Sequence, residues 1–366
     1  ILKGPSGCGK TLILVHKALF LLRYNPAVTS ILFVCFNITL VRYIKRMLAG
    51  KQVPMGENGV EVVHFYELCD RITGDKVDYE GQDQDYYQIV LDDTIEASKR
   101  YRKYDAILID EGQDFSDDMF KVVMNLLNSA TDILTIALDE KQNIYSRTRN
   151  WKELGIHARG RTHTIKYIYR STKELTEFSA RFSAGAEVVP ASGLPRQNAL
   201  FPGYFDYHGP KPAIDRYATL DELLNRIADE VNLIVTEKQY PLSEIAILYT
   251  KSKVVGHEEG SLPAMIGQVL DNRGILYDWV SEDYRAKKTY DITTDSVTVS
   301  TVHSVKGFDY AAVFVVGLDL LDQSRWTEEQ INRLTYVAIT RARFRLYLPY
   351  ITENNIIESL IQAKDI

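Results

Sequence analysis

The run Gly4-Pro5-Ser6-Gly7-Cys8-Gly9-Lys10-Thr11 is the part of this sequence best equipped for chemistry. It fits G-x-x-x-x-G-K-[ST] in full. Glycines at that spacing let the backbone wrap a phosphate chain, with successive N–H groups pointing inward. Lys10 then reaches the β- and γ-phosphates, and the Thr11 hydroxyl is placed to ligate Mg²⁺ at the start of a helix. All eight residues are therefore candidates for holding a nucleotide. Such a loop needs an acidic partner, and Ala106-Ile107-Leu108-Ile109-Asp110-Glu111 supplies an apolar strand ending in two acids. Asp110 suits the magnesium shell, and Glu111 suits orienting or deprotonating an attacking water. Most paired acids at a strand end are simply solvated, but this pair follows a complete phosphate loop. Together the two motifs predict a magnesium-dependent nucleoside triphosphatase.

Alternating strands and helices must hold these residues, and the hydropathy pattern predicts them. The continuous apolar run at 31–36 has the length of a buried strand, 60–65, 106–109 and 133–138 read as further strands, and 40–48 carries apolar residues at helical spacing. A polar, Asp- and Tyr-rich segment over about 70–104 reads as a short helical insertion. A second alternating series follows: helices over 220–235, 261–273 and 328–342, with strands over 244–249, 297–301, 312–316 and 344–348. Between the two series, 185–216 holds five of the eleven prolines and reads as an irregular connection. The expected fold is α/β, with two parallel-sheet domains, 1–155 and 156–366, and an ATP cleft between them. At 366 residues the chain is long enough for two cores. Ile1-Leu2-Lys3 leaves little room for a strand before the glycine-rich loop, so the domain is expected to begin upstream.

Further elements resemble the motor core of UvrD/Rep-type superfamily 1 helicases, in family order from residue 4 to residue 342. Asp110-Glu111-Gly112-Gln113-Asp114 is similar to that family's D-E-x-Q-D. The run from Leu134 to Tyr145 is similar to its V-G-D-x-x-Q-S-I-Y, and Tyr169-Arg170-Ser171 to its N-Y-R-S. Ser300-Thr301-Val302-His303-Ser304-Val305-Lys306-Gly307-Phe308-Asp309 resembles T-x-H-x-A-K-G-L-E. The run from Arg333 to Ala342 is nearly R-L-x-Y-V-A-x-T-R-A. The resemblance implies two RecA-like domains of the P-loop NTPase type. It implies that Gln113 and Gln142 sense the γ-phosphate, and that Arg170 and Arg341 act as arginine fingers on transition-state charge. It also places Tyr169 on the adenine, and Gly307 and Asp309 at the nucleotide, with Asp309 one methylene shorter than the family glutamate and bonded to the ribose.

By the same resemblance Phe36, Asn37, Phe65, Tyr66, Thr301 and His303 fall where the family touches single strands. Aromatics there stack bases without reading sequence, although Phe36 and Phe65 fit equally well as core residues at strand ends. The chain departs from the pattern after Tyr145, where Ser146-Arg147-Thr148-Arg149 replaces an aromatic–arginine pair and Trp151 is the nearest substitute. Leu12 stands where the family has an adenine-stacking arginine. The short stretch between Ser171 and Ser300 leaves no room for the large second inserted domain, so a compact motor is expected.

Composition narrows the class. The net charge of −6 argues against a protein that coats nucleic acid in bulk, while leaving room for a narrow basic cleft. Cys8, Cys35 and Cys69 form no C-x-x-C pair, which fits a reducing, cytoplasmic setting, and no apolar run predicts a membrane span. The expected activity is ATP- and Mg²⁺-dependent translocation on single-stranded DNA, or RNA, with unwinding and 3′-to-5′ polarity implied by the family. The alternative is a nucleic-acid-stimulated regulatory ATPase that drives a partner such as a nuclease or defence complex. A nucleotide kinase would share the loop but has no use for the T-V-H-S-V-K-G and V-A-I-T-R-A elements.

Overall fold

A computed structural model describes residues 1–78, 84–139, 142, 150–166, 168–184, 207–238, 240–250, 261–321 and 326–365. The chain divides into two compact units, Ile1–Lys166 and Tyr167–Ile366.

In the first unit the elements are β1 (Leu2–Lys3), α1 (Lys10–Tyr24), β2 (Ile31–Cys35), α2 (Ile38–Ala49), β3 (Val60–His64), α3 (Phe65–Thr73), α4 (Gln84–Ser98), β4 (Ala106–Asp110), α5 (Asp117–Leu126), β5 (Ile133–Leu138) and β6 (His163–Thr164). The strands form one sheet in the order β3-β2-β4-β5-β1-β6, and every pairing is parallel. β2 and β4 are buried along their whole length. That explains why they read as unbroken apolar runs, since a parallel sheet covered on both faces has no wet side. Cys35 lies opposite both His64 and Asp110, so β2, β3 and β4 end level and open their following loops on one edge. α4 lies within the polar segment over 70–104, whereas α3 begins before it, at Phe65. The unit runs on past 155 because β6 pairs with β1.

The second unit contains α6 (Lys173–Ala184), α7 (Leu220–Lys238), β7 (Ile245–Tyr249), α8 (Leu262–Asp271), β8 (Tyr277–Trp279), α9 (Tyr284–Thr289), β9 (Val297–Thr301), β10 (Tyr310–Val316), α10 (Glu328–Ile339), β11 (Ala342–Tyr347) and α11 (Asn355–Asp365). Its sheet runs β11-β10-β7-β9-β8, again parallel throughout. The fold class is thus α/β with two parallel sheets, the layout expected of paired RecA-like domains. A capping box between Thr327 and Gln330 opens α10, satisfying backbone donors that the first turn leaves unpaired. That helix stops at Ile339 and not at 342, because Thr340 leaves helical geometry and Ala342 already pairs with Tyr310 in the sheet. Of the expected connection over 185–216, residues 185–206 lie outside the described residues. The remainder is irregular and bridges at Ala213 to Tyr347 and at Arg216 to Tyr350. No described helix is long and apolar enough to cross a membrane.

Candidate nucleotide site

The glycine-rich loop leaves β1 and enters α1. The Gly4 amide donates to the Leu138 carbonyl at 3.1 Å, which fixes the loop's start to the end of β5. Gly7 and Gly9 have φ of 76° and 87°, left-handed values that cost an L side chain on the order of 1–2 kcal/mol. At Gly9 a β-carbon would meet no atom within 4 Å, so backbone conformation, not space, demands glycine there. At Gly4 space decides, because a β-carbon would lie 2.6 Å from Cys8 Sγ. Pro5 and Ser6 complete the turn half-buried, and Cys8 is buried. Lys10 is buried too, and its Nζ donates to the Gly4 and Pro5 carbonyls at 2.8 and 2.9 Å. The loop therefore arches over its own ammonium group, the geometry of a phosphate cradle.

The acids meet the loop where β4 ends. Thr11 Oγ1 donates to Asp110 Oδ2 at 2.6 Å, which joins the two predicted metal ligands directly. Asp110 has no solvent exposure, and burial, reinforced by the Glu111 charge, raises its pKa from 3.8 to about 6. A carboxylate so desolvated gains from a hard cation, and the hydroxyl–carboxylate oxygen pair suits Mg²⁺. Glu111 sits at φ 51°, a left-handed conformation for a residue that rarely adopts one. Strain of this kind persists where surrounding contacts over-determine it. Gln113 Nε2 donates to Glu111 Oε2 while Gln113 Oε1 accepts from the Asp139 amide at 3.0 Å. Lys10 Nζ faces Asp139 Oδ2 at 3.8 Å. Gln142, buried, donates its amide to the Asp139 carbonyl at 3.1 Å.

Six side chains from three strand ends thus converge: Lys10, Thr11, Asp110, Glu111, Gln113 and Asp139. Open parallel sheets bind ligands at such carboxyl ends. Sequence reasoning missed Asp139 as a site residue. The signal was present, since an acid follows the apolar run of β5 just as Asp110 closes that of β4. The run from Asn143 to Arg149, including the departure at 146–149, lies outside the described residues.

The second unit gathers its own predicted residues. Ser171 Oγ donates to the Ala342 carbonyl at 3.1 Å and the Thr172 amide to the Arg343 carbonyl at 3.0 Å, which lays the segment after Arg170 along the start of β11. Arg170 Nη1 lies 2.5 Å from Asp309 Oδ2, and Arg343 Nε lies 3.1 Å from Asp309 Oδ1. Arg341 is not displayed at a surface. It is 1% exposed, donating from Nε to the Val337 carbonyl and from Nη1 to the Phe308 carbonyl, both at 2.9 Å. Gly307 turns the chain at φ 94° immediately before these partners. Tyr169 is 49% exposed. Thr301 bonds through Oγ1 to Ser304 Oγ at 3.0 Å. Burial and the Lys306 charge hold the His303 pKa at about 4, so its ring is neutral at pH 7 and pairs loosely with Trp326, centroids 6.4 Å apart.

The proposed strand contacts of the first unit separate into two kinds. Phe65 has no exposure and packs against Phe115, centroids 5.5 Å apart. It is a core ring, and the expectation that it touches nucleic acid is corrected on that ground. Phe36 and Tyr66 are only partly buried and stand 6.4 Å apart, edge to face. Asn37 caps α2, its side-chain oxygen accepting from the Thr39 amide. Trp151 packs edge-on against Phe120 at 5.4 Å, so its indole serves the core and is a poor substitute for a stacking platform.

Comparison with known proteins bears on the second unit. Residues 279–353 match the UvrD-like helicase C-terminal domain. The chain is 33% identical over 72 residues to the RecBCD enzyme subunit RecB of Chlamydia pneumoniae, covering 20% of this chain and 7% of that protein. It is 38% identical over 63 residues to the ATP-dependent DNA helicase PcrA of Bacillus subtilis (strain 168), covering 15% of this chain and 8% of that protein. The matches thus span less than a tenth of either relative's length. Among solved structures, Arterivirus nonstructural protein 10 (helicase) in complex with DNA is 12% identical, with a TM-score of 0.45, over 98% of this chain and 62% of that one.

The span of the UvrD-like match contains the 300–309 and 333–342 elements. Arg341, Asp309, Gly307, His303 and Thr301 therefore all lie inside the matched span. Arg170 lies outside the span, joined to it by the ion pair with Asp309. The phosphate loop lies outside it as well, and rests on its own motif and geometry.

Proposed function

We propose that this chain hydrolyses ATP with Mg²⁺ and uses the cycle to move along single-stranded nucleic acid. The observation that carries the reading is the convergence of Lys10, Thr11, Asp110, Glu111, Gln113 and Asp139 at the strand ends of the first unit. The match of residues 279–353 to the UvrD-like helicase C-terminal domain supports it. Bound Mg²⁺ would neutralise phosphate charge, with Thr11 and Asp110 as its protein ligands. Lys10 exchanges its loop carbonyls for phosphate oxygens. Glu111 orients the attacking water and accepts its proton, and Gln113 holds that carboxylate in place through the amide it donates. Tyr169 stacks on the base, Asp309 accepts from the sugar, and Arg170 and Arg341 stabilise the charge that grows during transfer.

Phe36, Asn37, Tyr66, Thr301 and His303 are the proposed contacts to the strand. DNA is favoured as the track, with 3′-to-5′ movement and unwinding as the finer form of the proposal. The test is steady-state ATPase titrated with single-stranded DNA, single-stranded RNA and duplex, run beside displacement of a labelled strand. Stimulation by single strands above duplex is expected. ATP turnover indifferent to all three would remove the motor reading. Stimulation without displacement would leave translocation, or a partner-driving ATPase, in place of unwinding.

A further inference from the structure

The charges of the first unit are sorted by sheet face. The steps β1 to β2 and β2 to β3 run toward one end of the sheet, and β3 to β4 and β4 to β5 run back. Parallel crossovers are right-handed, so α1 and α2 cover one face while α3, α4 and α5 cover the other. The packing agrees, α1 against α2, and α4 against both α3 and α5. α3, α4 and α5 carry eight carboxylates and two cations. α1 and α2 carry no carboxylate, and neither does the rest of the chain up to Gly56, a stretch that holds eight lysines and arginines. In a chain of net charge −6, two adjacent helices without a carboxylate carry a positive local field.

Arg42, Lys45 and Arg46 are exposed on α2. Spacings of three and four put them on one side of the helix, away from buried Leu40, Val41, Ile44 and Leu48. Asn37, a proposed strand contact, caps the same helix. On α1 the exposed side carries Phe20 and Tyr24, 60% and 65% exposed, with ring centroids 5.1 Å apart. Cations and aromatic rings on one surface are what a single strand's phosphates and bases require. The contacts already proposed, Phe36, Asn37, Tyr66, Thr301 and His303, bring no positive charge, His303 being neutral at pH 7. Sequence-neutral binding rests on neutralising phosphates with cations. We propose that the α1–α2 face is a phosphate-binding surface for single-stranded nucleic acid. Arg42, Lys45 and Arg46 neutralise phosphates of the strand that passes Asn37, and Phe20 and Tyr24 offer rings to its bases. This rests on the strand-binding reading above, and all of the surface lies within the first unit.

The test is fluorescence anisotropy of a labelled oligo-dT across a series of salt concentrations, without nucleotide. For the unaltered chain log K falls linearly with log salt. Substituting Arg42→Gln, Lys45→Gln and Arg46→Gln together flattens that slope by about 2, three phosphates at about 0.7 each. Lys45→Gln alone flattens it by about 0.7 and guards against a triple variant that does not fold. Arg42→Lys with Arg46→Lys keeps the slope, because a point charge serves a phosphate without a guanidinium fork. Phe20→Ala with Tyr24→Ala weakens binding about tenfold at constant slope, since stacking releases no counterions. ATP turnover without nucleic acid stays unchanged in every variant, and thermal unfolding checks that each is folded. An unaltered slope in the triple and Lys45 variants overturns the surface and leaves the motor reading standing. Poly-glutamate or phosphatidylserine vesicles that displace oligo-dT at equal charge concentration would assign the face to an acidic protein segment or a membrane, and overturn the strand as its ligand. No binding of oligo-dT by the unaltered chain overturns the surface and the strand-binding reading together.

Discussion

The two units keep their charged residues in different ways. In the first, the cation and the acids meet one another: Lys10 faces Asp139, Thr11 bonds Asp110, and Gln113 ties Glu111 to the Asp139 backbone. In the second, the cations are held by groups of their own unit, Arg341 by the Val337 and Phe308 carbonyls and Arg170 by Asp309. The first arrangement has its groups already gathered at one set of strand ends, so binding of a phosphate chain asks chiefly that Lys10 exchange the Gly4 and Pro5 carbonyls for phosphate oxygens. The second withholds positive charge until something competes for its partners. Within the second unit the two arginines also differ, one buried and bonded to backbone carbonyls, the other half-exposed and, among the described residues, ion-paired to Asp309.

The largest effects are expected in the first unit. Glu111→Gln should lower turnover by roughly a thousandfold while nucleotide affinity stays within a few-fold, because the carboxylate acts on water and not on phosphate. Lys10→Ala should lose both. Rapid-quench hydrolysis beside fluorescent-nucleotide titration measures the split, and near-normal turnover in either variant would dissolve the contrast drawn between the units.

The arginines should separate next. Arg170→Ala and Arg341→Ala are each expected to lower turnover by about a hundredfold. Only Arg341→Ala should also destabilise the fold, by about 2–4 kcal/mol, since it strips buried carbonyls of their donor. Calorimetric unfolding run beside ATPase distinguishes them. A stability loss with turnover per folded molecule intact would make Arg341 a core residue of the second unit and nothing more.

The smallest effect concerns pH. Asp110 has its pKa raised to about 6 from 3.8, so between those values the folded chain binds a proton that the unfolded chain releases. Its contribution to stability without metal is full below 3.8 and is lost as pH rises through about 6. Protons and Mg²⁺ compete for the same oxygen, so apparent Mg²⁺ affinity should fall as pH drops below about 6, by up to about tenfold per pH unit. Mg²⁺ titrations of nucleotide binding at pH 5 and 7.5 check this. Equal affinities would mean that Asp110 is not a ligand.

Much of this site was readable in the linear order of residues. The glycine-rich loop declares itself because phosphate binding depends on local backbone freedom, as the positive φ of Gly7 and Gly9 bears out. The buried strands declare themselves because a sheet covered on both faces needs apolar residues in succession, as in β2, β4 and β10. The sequence also determined the order of the motifs along both units. It left open whether Phe36 and Phe65 were surface or core. Both follow apolar strands, and only packing against Phe115 put Phe65 inside. It did not single out Asp139, whose meaning comes from Lys10 far away in the chain. Nor did it show that Arg341 would be buried or that Arg170 and Arg343 would divide one carboxylate between them. Spacing encodes what neighbouring residues do together, whereas the partner of a long charged side chain is chosen among groups that only the folded sheet brings within reach.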